Sequence, residues 1–528
     1  MLQISIIMNK TRFIVMVALI VALGGFLMGF DASVISGVNK FIELEFELTK
    51  LQLGWAVGSL TLTATLAMMV AGPWSDRVGR KKVLTIAALL YTVSAVSSAL
   101  APSFTFLVAA RMLGGIGVGI SLIIAPMYIA EMSPPKMRGR MVSFNQLNIV
   151  LGISVAFFTN YLILQLGDSE AQWAQDLKFD EYNWRWMLGL EAVPAILYFF
   201  ALFLVPRSPR WLAMKGNYDE AMKIMCRALE ESEAQKIIND VRDSIKKKKE
   251  EGEEEVTSFK RLFHPSLRLV LAIGLVIGVL QQITGINSVF FYAPMIFEQS
   301  GIGTDASFSQ AILVGLINLA FTILAISLID RLGRKPLLIF GVSGMAICLF
   351  ILSYGFSSAT YELTNESVEK LSEEIDQTLV TPYIGNVYTD DLSFKSDMSE
   401  AIGELEFKKY ESQFLTAAVD MNAVLILIGI LGFVASFAVS IGPVMWVLFS
   451  ELFPNWIRGV AISFVGLVNS AVSFLVQVIF PWELEVLGSA TTFFLYGFFA
   501  VLGLAFIIWK VPETKGKSLE ELEVILVK

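Results

Sequence analysis

The fold is decided by a heptapeptide that occurs twice, as Asp76-Arg77-Val78-Gly79-Arg80-Lys81-Lys82 and as Asp330-Arg331-Leu332-Gly333-Arg334-Lys335-Pro336. Each copy follows one long apolar run and is followed at once by another. A membrane-spanning helix needs about 20 mostly apolar residues, because each residue rises about 1.5 Å through a hydrocarbon core of about 30 Å. A repeated charged loop between such runs therefore indicates a membrane protein made of two similar halves.

Twelve apolar runs in the 528 residues are long enough to cross a bilayer. The composition agrees, with 55% hydrophobic and only 17% charged side chains, because soluble proteins carry roughly a quarter charged residues. We predict an all-α integral membrane protein with twelve transmembrane helices in two pseudo-symmetric six-helix bundles. The predicted spans are 13–38, 52–74, 83–101, 105–129, 141–165, 184–206, 266–298, 309–330, 336–357, 414–448, 457–481 and 487–511.

Longer polar segments define the expected domain boundaries. An N-terminal six-helix bundle is expected over 1–206 and a cytoplasmic helical linker over 207–263. A C-terminal six-helix bundle follows over 264–511, with a cytoplasmic tail over 512–528. The second bundle carries a strongly acidic insertion at 358–413, for which a small outer cap is our hypothesis.

Basic residues in the short loops predict the orientation, because loops rich in Lys and Arg stay in the cytoplasm. Three basic residues lie in the short loops on one side, at Lys40, Lys50 and Lys178. Eleven lie in the loops of the other side, namely Arg77, Arg80, Lys81, Lys82, Lys136, Arg138, Arg140, Arg331, Arg334, Lys335 and Arg458. We therefore expect a multi-pass protein of a plasma or bacterial inner membrane with both termini in the cytoplasm.

Acidic residues recur beside these basic loops in both halves. Glu131 lies seven residues before Arg138, and Glu451 lies seven residues before Arg458. Such charges suit a salt-bridge latch on the cytoplasmic side, although the basic residues could also serve orientation alone. The predicted latch consists of Asp76, Arg77, Arg80, Glu131, Arg138, Asp330, Arg331, Arg334, Glu451 and Arg458.

The residue counts exclude several other classes of protein. One His and two Cys are too few for a His/Cys zinc site or for a disulfide scaffold. The net charge of −8 opposes nucleic-acid binding. A membrane enzyme is the least favoured class, because no nucleophile–base pair or metal cluster occurs in any span. We expect no cofactor and no metal.

Five motifs, with the repeated heptapeptide counted once, together resemble the sugar porter family of the major facilitator superfamily. They are the two heptapeptides, P-M-Y-I-A-E at 126–131, V-P-R-S-P-R-W-L at 205–212, Q-Q-I-T-G-I-N at 281–287 and P-E-T-K-G-K-S-L-E-E-L at 512–522. The resemblance covers the chain apart from 358–413 and parts of 218–260. It implies the major facilitator fold and sugar transport.

Neutral amides inside the predicted spans form a candidate sugar site. Amide groups both donate and accept hydrogen bonds, as sugar hydroxyls require, and carry no charge to desolvate. The same side chains could instead join helices to one another, which is common in membrane bundles. The candidates are Gln146, Gln281, Gln282, Asn287, Asn318 and Asn469, with Trp446 as an apolar wall for the sugar ring.

The family resemblance favours sugar binding for these residues. The positions that match Gln281, Gln282, Asn287, Asn318 and Trp446 contact sugar in the family, and those that match Gln146 and Asn469 do so in plant-type hexose/proton symporters. Two positions depart from the bacterial xylose/proton symporter: this chain has Ile153 where that symporter has a Gln, and Ser470 where it has a Trp. Ile153 is similar to the plant hexose symporters, so a hexose gains weight over xylose as the substrate.

Asp31 is an acid in an otherwise apolar stretch of the first span. An Asp at the centre of a membrane helix costs roughly 2.5 to 3.5 kcal/mol, so a functional role is expected. In proton-coupled members of the family an Asp occupies this position and pairs with an Arg that matches Arg111. The alternative is a permanent ion pair that only fixes helix packing.

These observations predict a proton-coupled importer of a hexose or pentose that works by alternating access. A facilitative sugar uniporter is the alternative, and a sugar-binding sensor is less favoured because such proteins usually carry long signalling tails. The expected partners are a monosaccharide, protons and the lipid bilayer, with no nucleic acid. The protein is expected to be a monomer.

Overall fold

The structure is a computed structural model that describes residues 10–134, 137–250, 259–372, 374–454, 457–517 and 521–523. The described part is almost wholly helical. Up to the end of the sixth predicted span, the helices are α1 (Lys10–Glu45), α2 (Lys50–Val78), α3 (Arg80–Ala99), α4 (Phe104–Met132), α5 (Arg138–Gly167), α6 (Gln172–Asp176), α7 (Asn183–Gly189) and α8 (Ala192–Leu204). The predicted linker holds α9 (Pro209–Met214), α10 (Tyr218–Met225) and α11 (Glu231–Glu250), then short 3₁₀ turns at Phe259–Phe263 and Pro265–Leu267.

The C-terminal part contains the remaining helices and three short strands. It comprises α12 (Arg268–Ile283), α13 (Ile286–Glu298), α14 (Thr304–Leu332), α15 (Arg334–Ser357), β1 (Thr360–Glu362), α16 (Asn365–Glu369), α17 (Gln377–Val380), a 3₁₀ turn (Thr381–Tyr383), β2 (Val387–Tyr388), α18 (Asp391–Ile402), α19 (Glu404–Ala418), β3 (Val419–Asp420), α20 (Ala423–Val439), α21 (Ile441–Leu452) and α22 (Arg458–Lys510).

Eleven helical segments of the described chain are long and apolar enough to cross a membrane. The last of them, α22, has 53 residues, which at about 1.5 Å each is more than twice the thickness of a bilayer core. Within α22, Gly488 has φ 76° and breaks the regular helix. This segment therefore covers the two predicted spans at 457–481 and 487–511, so the eleven segments accommodate the predicted twelve spans.

The seventh predicted span is broken into two helices. α12 ends at Ile283, and α13 begins after Gly285, which has φ 83° in the left-handed region. A Cβ atom at Gly285 would lie 2.3 Å from the ring of Tyr496, so this position requires glycine both for its backbone and for its packing. Discontinuous spans of this kind expose backbone groups for ligands in transporters.

The acidic insertion is a folded element rather than a loop. β1 pairs antiparallel with β2 and with β3, and the helices enclose a core that includes Tyr361, Phe394 and Phe414. The prediction that the tenth span begins at 414 is wrong, because Phe414–Ala418 belongs to α19 and contributes to this core. The span itself begins at Ala423.

The chain divides by its internal packing into two compact units. The first unit comprises Met1–Ala32, Ser59–Ile153 and Leu188–Arg261. The second unit comprises Ser33–Gly58, Ser154–Met187 and Leu262–Lys528. The predicted bundles at 1–206 and 264–511 follow the sequence repeat and remain a prediction, as does the orientation in the membrane.

Candidate functional site

Asp31 and Arg111 form a buried ion pair in the first unit. Arg111 Nη1 donates to Asp31 Oδ1 at 3.2 Å, and Nη2 donates to the Asp31 carbonyl at 3.5 Å. The side chains are only 2% and 1% exposed, respectively. Asp31 Oδ2 has no hydrogen-bond partner among the described residues. The predicted pair is thus formed through Oδ1, and Oδ2 of the same carboxylate takes no part in it.

Glycine residues of α4 provide the space for this carboxylate and for close helix packing. A Cβ atom at Gly114 would lie 2.8 Å from Asp31 Oδ2 and 2.6 Å from Ser94 Oγ. Gly115 and Gly119 approach the backbone of α2 so closely that a Cβ atom would meet carbonyl oxygens at 2.3 and 2.2 Å. These glycines of the fourth predicted span therefore serve close helix packing.

Glu191 is a third charged residue of this site, and it was not predicted from the sequence. It lies between α7 and α8, is 2% exposed and interacts electrostatically with both Asp31 and Arg111. Its Oε1 atom has no hydrogen-bond partner in the described part of the chain. The available signal was an acid inside the apolar run at 184–206. One buried cation thus stands beside two buried carboxylates.

Four of the predicted amides form one hydrogen-bonded cluster in the second unit. Gln282 Nε2 donates to Gln281 Oε1 at 3.1 Å and to Asn469 Oδ1 at 3.3 Å. Asn469 Nδ2 donates to Gln281 Oε1 at 2.9 Å and to the Gly278 carbonyl at 2.7 Å. Asn287 Nδ2 donates to Gln282 Oε1 at 2.8 Å across the break in the span. The break at Gly285 therefore lets α12 and α13 present their amides to each other.

Two further polar residues extend this cluster along α22. Asn287 Nδ2 also donates to Ser473 Oγ at 2.7 Å, and Gln477 Nε2 donates to the same oxygen at 2.8 Å. Ser473 and Gln477 are 5% and 1% exposed. Neither residue was predicted from the sequence, although Asn469, Ser473 and Gln477 recur every four residues and so share one helix face.

The other predicted ligands lie apart from this network. Asn318 on α14 is 5% exposed and makes no hydrogen bond to the cluster within the described residues. Trp446 on α21 is 47% exposed and stacks edge to face on Phe449. Gln146 on α5 of the first unit has an exposed side chain. Their roles as sugar ligands remain predictions.

Each heptapeptide forms an ion-pair cluster within its own unit. In the first unit, Arg80 Nη2 binds Glu131 at 3.2 Å and Arg80 Nη1 binds Asp76 at 2.7 Å. In the second unit, Arg334 Nη2 binds Glu451 at 2.8 Å. These are the acidic and basic residues that the latch hypothesis brings together.

Hydroxyl residues complete both clusters in the same way. Ser208 Oγ donates to Glu131 Oε2 at 2.5 Å, and Thr514 Oγ1 donates to Glu451 Oε2 at 2.6 Å. Glu513 also accepts from the backbone N–H groups of Arg334 and Lys335, each at 3.1 Å. These three residues lie in the V-P-R-S-P-R-W-L and P-E-T-K-G-K-S-L-E-E-L motifs, but their contacts were not predicted.

The remaining latch candidates take less part in these two ion-pair clusters. Arg77 and Arg331 are exposed, and Arg138 lines a cavity of about 90 Å³ beside Glu131. Arg458 donates through Nε to the Phe453 carbonyl at 3.0 Å, while its buried Nη2 atom has no partner among the described residues. The side chain of Asp330 lies outside the described part of the structure.

Comparison with known proteins identifies the family. The chain matches the family described as "Sugar (and other) transporter" over residues 17–372 and 409–526. The arabinose-proton symporter of Bacillus subtilis (strain 168) is 32% identical over 524 residues, which cover 98% of this chain and 96% of that protein. The glucose transport protein of Synechocystis sp. is 32% identical over 513 residues, which cover 97% of each chain.

A solved structure supports the same assignment. The inward-open conformation of the xylose transporter XylE from E. coli matches with a TM-score of 0.73 at 31% sequence identity, covering 97% of this chain and 100% of that one. The protein is therefore a multi-pass transporter and not an enzyme. It belongs to the sugar transporter family of the major facilitator superfamily.

Proposed function

We propose that this sugar transporter imports a monosaccharide together with a proton, by alternating access. The Asp31–Arg111 pair carries the proposal. A buried carboxylate serves proton transfer if it can change its charge, and Asp31 Oδ2, which has no hydrogen-bond partner among the described residues, can accept the proton. Ionisable residues inside membrane proteins commonly mark proton relays.

Protonation changes the balance of charge in the first unit. When Asp31 takes a proton at Oδ2, its carboxyl group becomes neutral and the charge-assisted hydrogen bond from Arg111 Nη1 weakens. Glu191 then remains as the acid that compensates Arg111. Loss of the proton to the other side of the membrane restores the Asp31–Arg111 pair. Because Asp31 lies on α1 and Arg111 lies on α4, this exchange couples the charge of Asp31 to the contact between these two helices.

The amide cluster supplies the proposed sugar site. Both N–H groups of Asn287 are already used inside the cluster, so its Oδ1 atom is left to accept a hydrogen bond. Gln281 Nε2 is held only at 3.5 Å from the Ile441 and Gly442 carbonyls, so it is the most readily released donor. A sugar hydroxyl can satisfy one donor and one acceptor at once. Gln146, Asn318 and Trp446 are proposed as further ligands.

The relatives support a monosaccharide as the substrate. Their names specify arabinose, xylose and glucose, which are pentoses and a hexose with similar patterns of hydroxyl groups. We place the protein in the cell membrane with both termini in the cytoplasm, where the Arg80–Glu131 and Arg334–Glu451 clusters act as the predicted latch.

Uptake by proteoliposomes tests the proposal. Labelled L-arabinose, D-xylose and D-glucose are offered with and without an acidic external buffer. We expect at least one of them to accumulate above its external concentration only when the outside is acidic, and a protonophore abolishes this accumulation. Uptake that equilibrates and ignores the pH gradient selects the uniporter instead, and binding without uptake selects the sensor.

A further inference from the structure

The acidic insertion docks on the ends of several spans through a network of charged and polar side chains. Glu411 of α19 pairs with Lys395 of α18 at 2.9 Å. Gln299, which directly follows α13, hydrogen-bonds to both of them. Asp391 accepts from the Ser489 backbone N–H and hydroxyl of α22, each at 3.4 Å.

The same network continues into the first two spans. Lys50 begins α2 and pairs with Glu43 of α1 at 2.5 Å. It also lines one cavity with Glu411 of the insertion and interacts electrostatically with that carboxylate. A cation at the N-terminus of a helix is unfavourable because of the helix dipole. Three acids that interact with Lys50 compensate for this, namely Glu43 of α1, Glu485 of α22 and, from the insertion, Glu411.

A second series of contacts also connects the insertion with α1. Lys40 of α1 binds Glu298 of α13 at 2.8 Å and Thr304 of α14 at 2.6 Å. Thr304 Oγ1 lies 3.3 Å from Ser412 Oγ of the insertion. The insertion thus contacts α14 directly and reaches α1 through one shared hydroxyl group.

The elements that meet at this network are also packed tightly against one another. Asn39 Nδ2 of α1 donates to the Phe291 carbonyl of α13 at 2.9 Å, and Ser154 Oγ of α5 donates to the Gly315 carbonyl of α14 at 2.9 Å. A Cβ atom at Gly54 of α2 would lie 2.0 Å from the Val478 carbonyl of α22. These contacts form a closed seam of α1, α2 and α5 on α13, α14 and α22.

We propose that the insertion is a clamp that holds this seam closed and thereby sets how often the transporter opens on that side. The inference rests on the proposed alternating-access function, because such a cycle must open the seam in each turnover. The insertion is held on α13, α14 and α22, so the seam cannot open without separating Lys50 from Glu411 and Lys40 from Glu298 and Thr304, unless the insertion moves with α1 and α2. Most of these side chains are shielded from water, with Lys50 10% exposed and Glu411 22% exposed, so water screens their attraction only in part.

Thiol labelling at the seam tests the clamp. Ser154, which is 7% exposed, is replaced by Cys in a Cys226→Ser/Cys348→Ser background, and reaction with a maleimide is followed in nanodiscs without sugar. We expect Glu411→Gln to speed labelling about five- to tenfold, the usual size of a conformational coupling. Gln299→Leu removes hydrogen bonds without changing charge, and we expect it to act in the same direction.

The matched control is Glu366→Gln. Glu366 also lies in the insertion and pairs with Lys370, but both side chains are exposed and belong to one helix turn. Labelling that is unchanged by Glu411→Gln and Gln299→Leu overturns the clamp, as does an equal increase with Glu366→Gln. If Glu411→Gln fails to fold, Gln299→Leu decides alone. The assay needs neither sugar nor a pH gradient, so failure of the clamp and failure of proton-coupled transport are separate outcomes.

Discussion

Replacing Asp31 by Asn separates the structural role of the buried ion pair from its role in coupling. The variant leaves the Arg111 guanidinium, 1% exposed, without its main counter-charge. Removing one partner of a buried pair typically costs about 3–5 kcal/mol. We expect about 3 kcal/mol of lost unfolding free energy, because Glu191 still interacts with Arg111. The double variant Asp31→Asn/Arg111→Gln should recover part of this loss, because the only acid that then remains beside the site is Glu191, and a buried carboxyl group, unlike a guanidinium group, can become neutral by taking up a proton.

Transport distinguishes the two roles more sharply than stability does. Thermal unfolding gives the cost for each variant, and uptake in proteoliposomes gives the coupling. Both variants should equilibrate sugar across the membrane but fail to accumulate it under an imposed pH gradient, even where the double variant is stable. Asp168→Asn, which removes an exposed acid, is the control and should accumulate sugar normally. Accumulation that survives in Asp31→Asn would refute the assignment of this carboxylate.

Three further predictions follow from the packing, the amide cluster and the insertion. Gly285→Ala should cost about 2–4 kcal/mol of unfolding free energy, because Gly285 has a positive φ and an added Cβ atom would clash with Tyr496. The control is Gly139→Ala, which has open space around it and should not destabilise the protein. Thermal unfolding of both variants checks this. Ser473→Ala removes the hydroxyl group that accepts from Asn287 Nδ2, and we expect it to weaken sugar affinity about fivefold, on the order of one hydrogen bond. Calorimetry of sugar binding checks this, with Ser143→Ala as the control. Equal affinities of the Ser473→Ala and Ser143→Ala variants would contradict the prediction. Burial alone raises the pKa of Glu411, but Lys395 and Lys50 together lower this pKa to about 2. A depressed pKa stabilises the fold above the ordinary value of 4.5, and this stabilisation disappears as the pH falls towards 2. The stability difference between the unsubstituted protein and Glu411→Gln should therefore be constant from pH 7 to 5 and shrink below about pH 4, and a difference that changes between pH 7 and 5 would contradict this assignment.

The span pattern and the repeat could be predicted from sequence because lipid imposes a simple rule on helix length. The rule breaks down where apolar residues have another reason to be buried. Phe414 and Leu415 continue an apolar run into the tenth span, yet they fill the core of the insertion. Hydropathy alone cannot distinguish burial in a small soluble core from burial in a membrane.

The candidate sites were predictable only in part, because tertiary contacts decide them. The Asp31–Arg111 pair came from the family resemblance, and the structure brings the two together. Glu191 was visible as an acid in an apolar run, but its nearness to Asp31 depends on how α1 and α8 approach each other. Ser473 and Gln477 do not stand out in the sequence of a membrane helix. Their role depends on the break at Gly285, which brings Asn287 within hydrogen-bonding distance of Ser473.

The most direct test of the account is the movement of protons when sugar is added. A pH electrode follows the weakly buffered medium outside de-energised vesicles that contain the protein. We predict that the transported sugar makes the medium more alkaline, with about one proton taken up per sugar, as expected for a single coupling carboxylate, and that Asp31→Asn abolishes the signal. Sugar entry without any change of external pH would contradict proton coupling at Asp31.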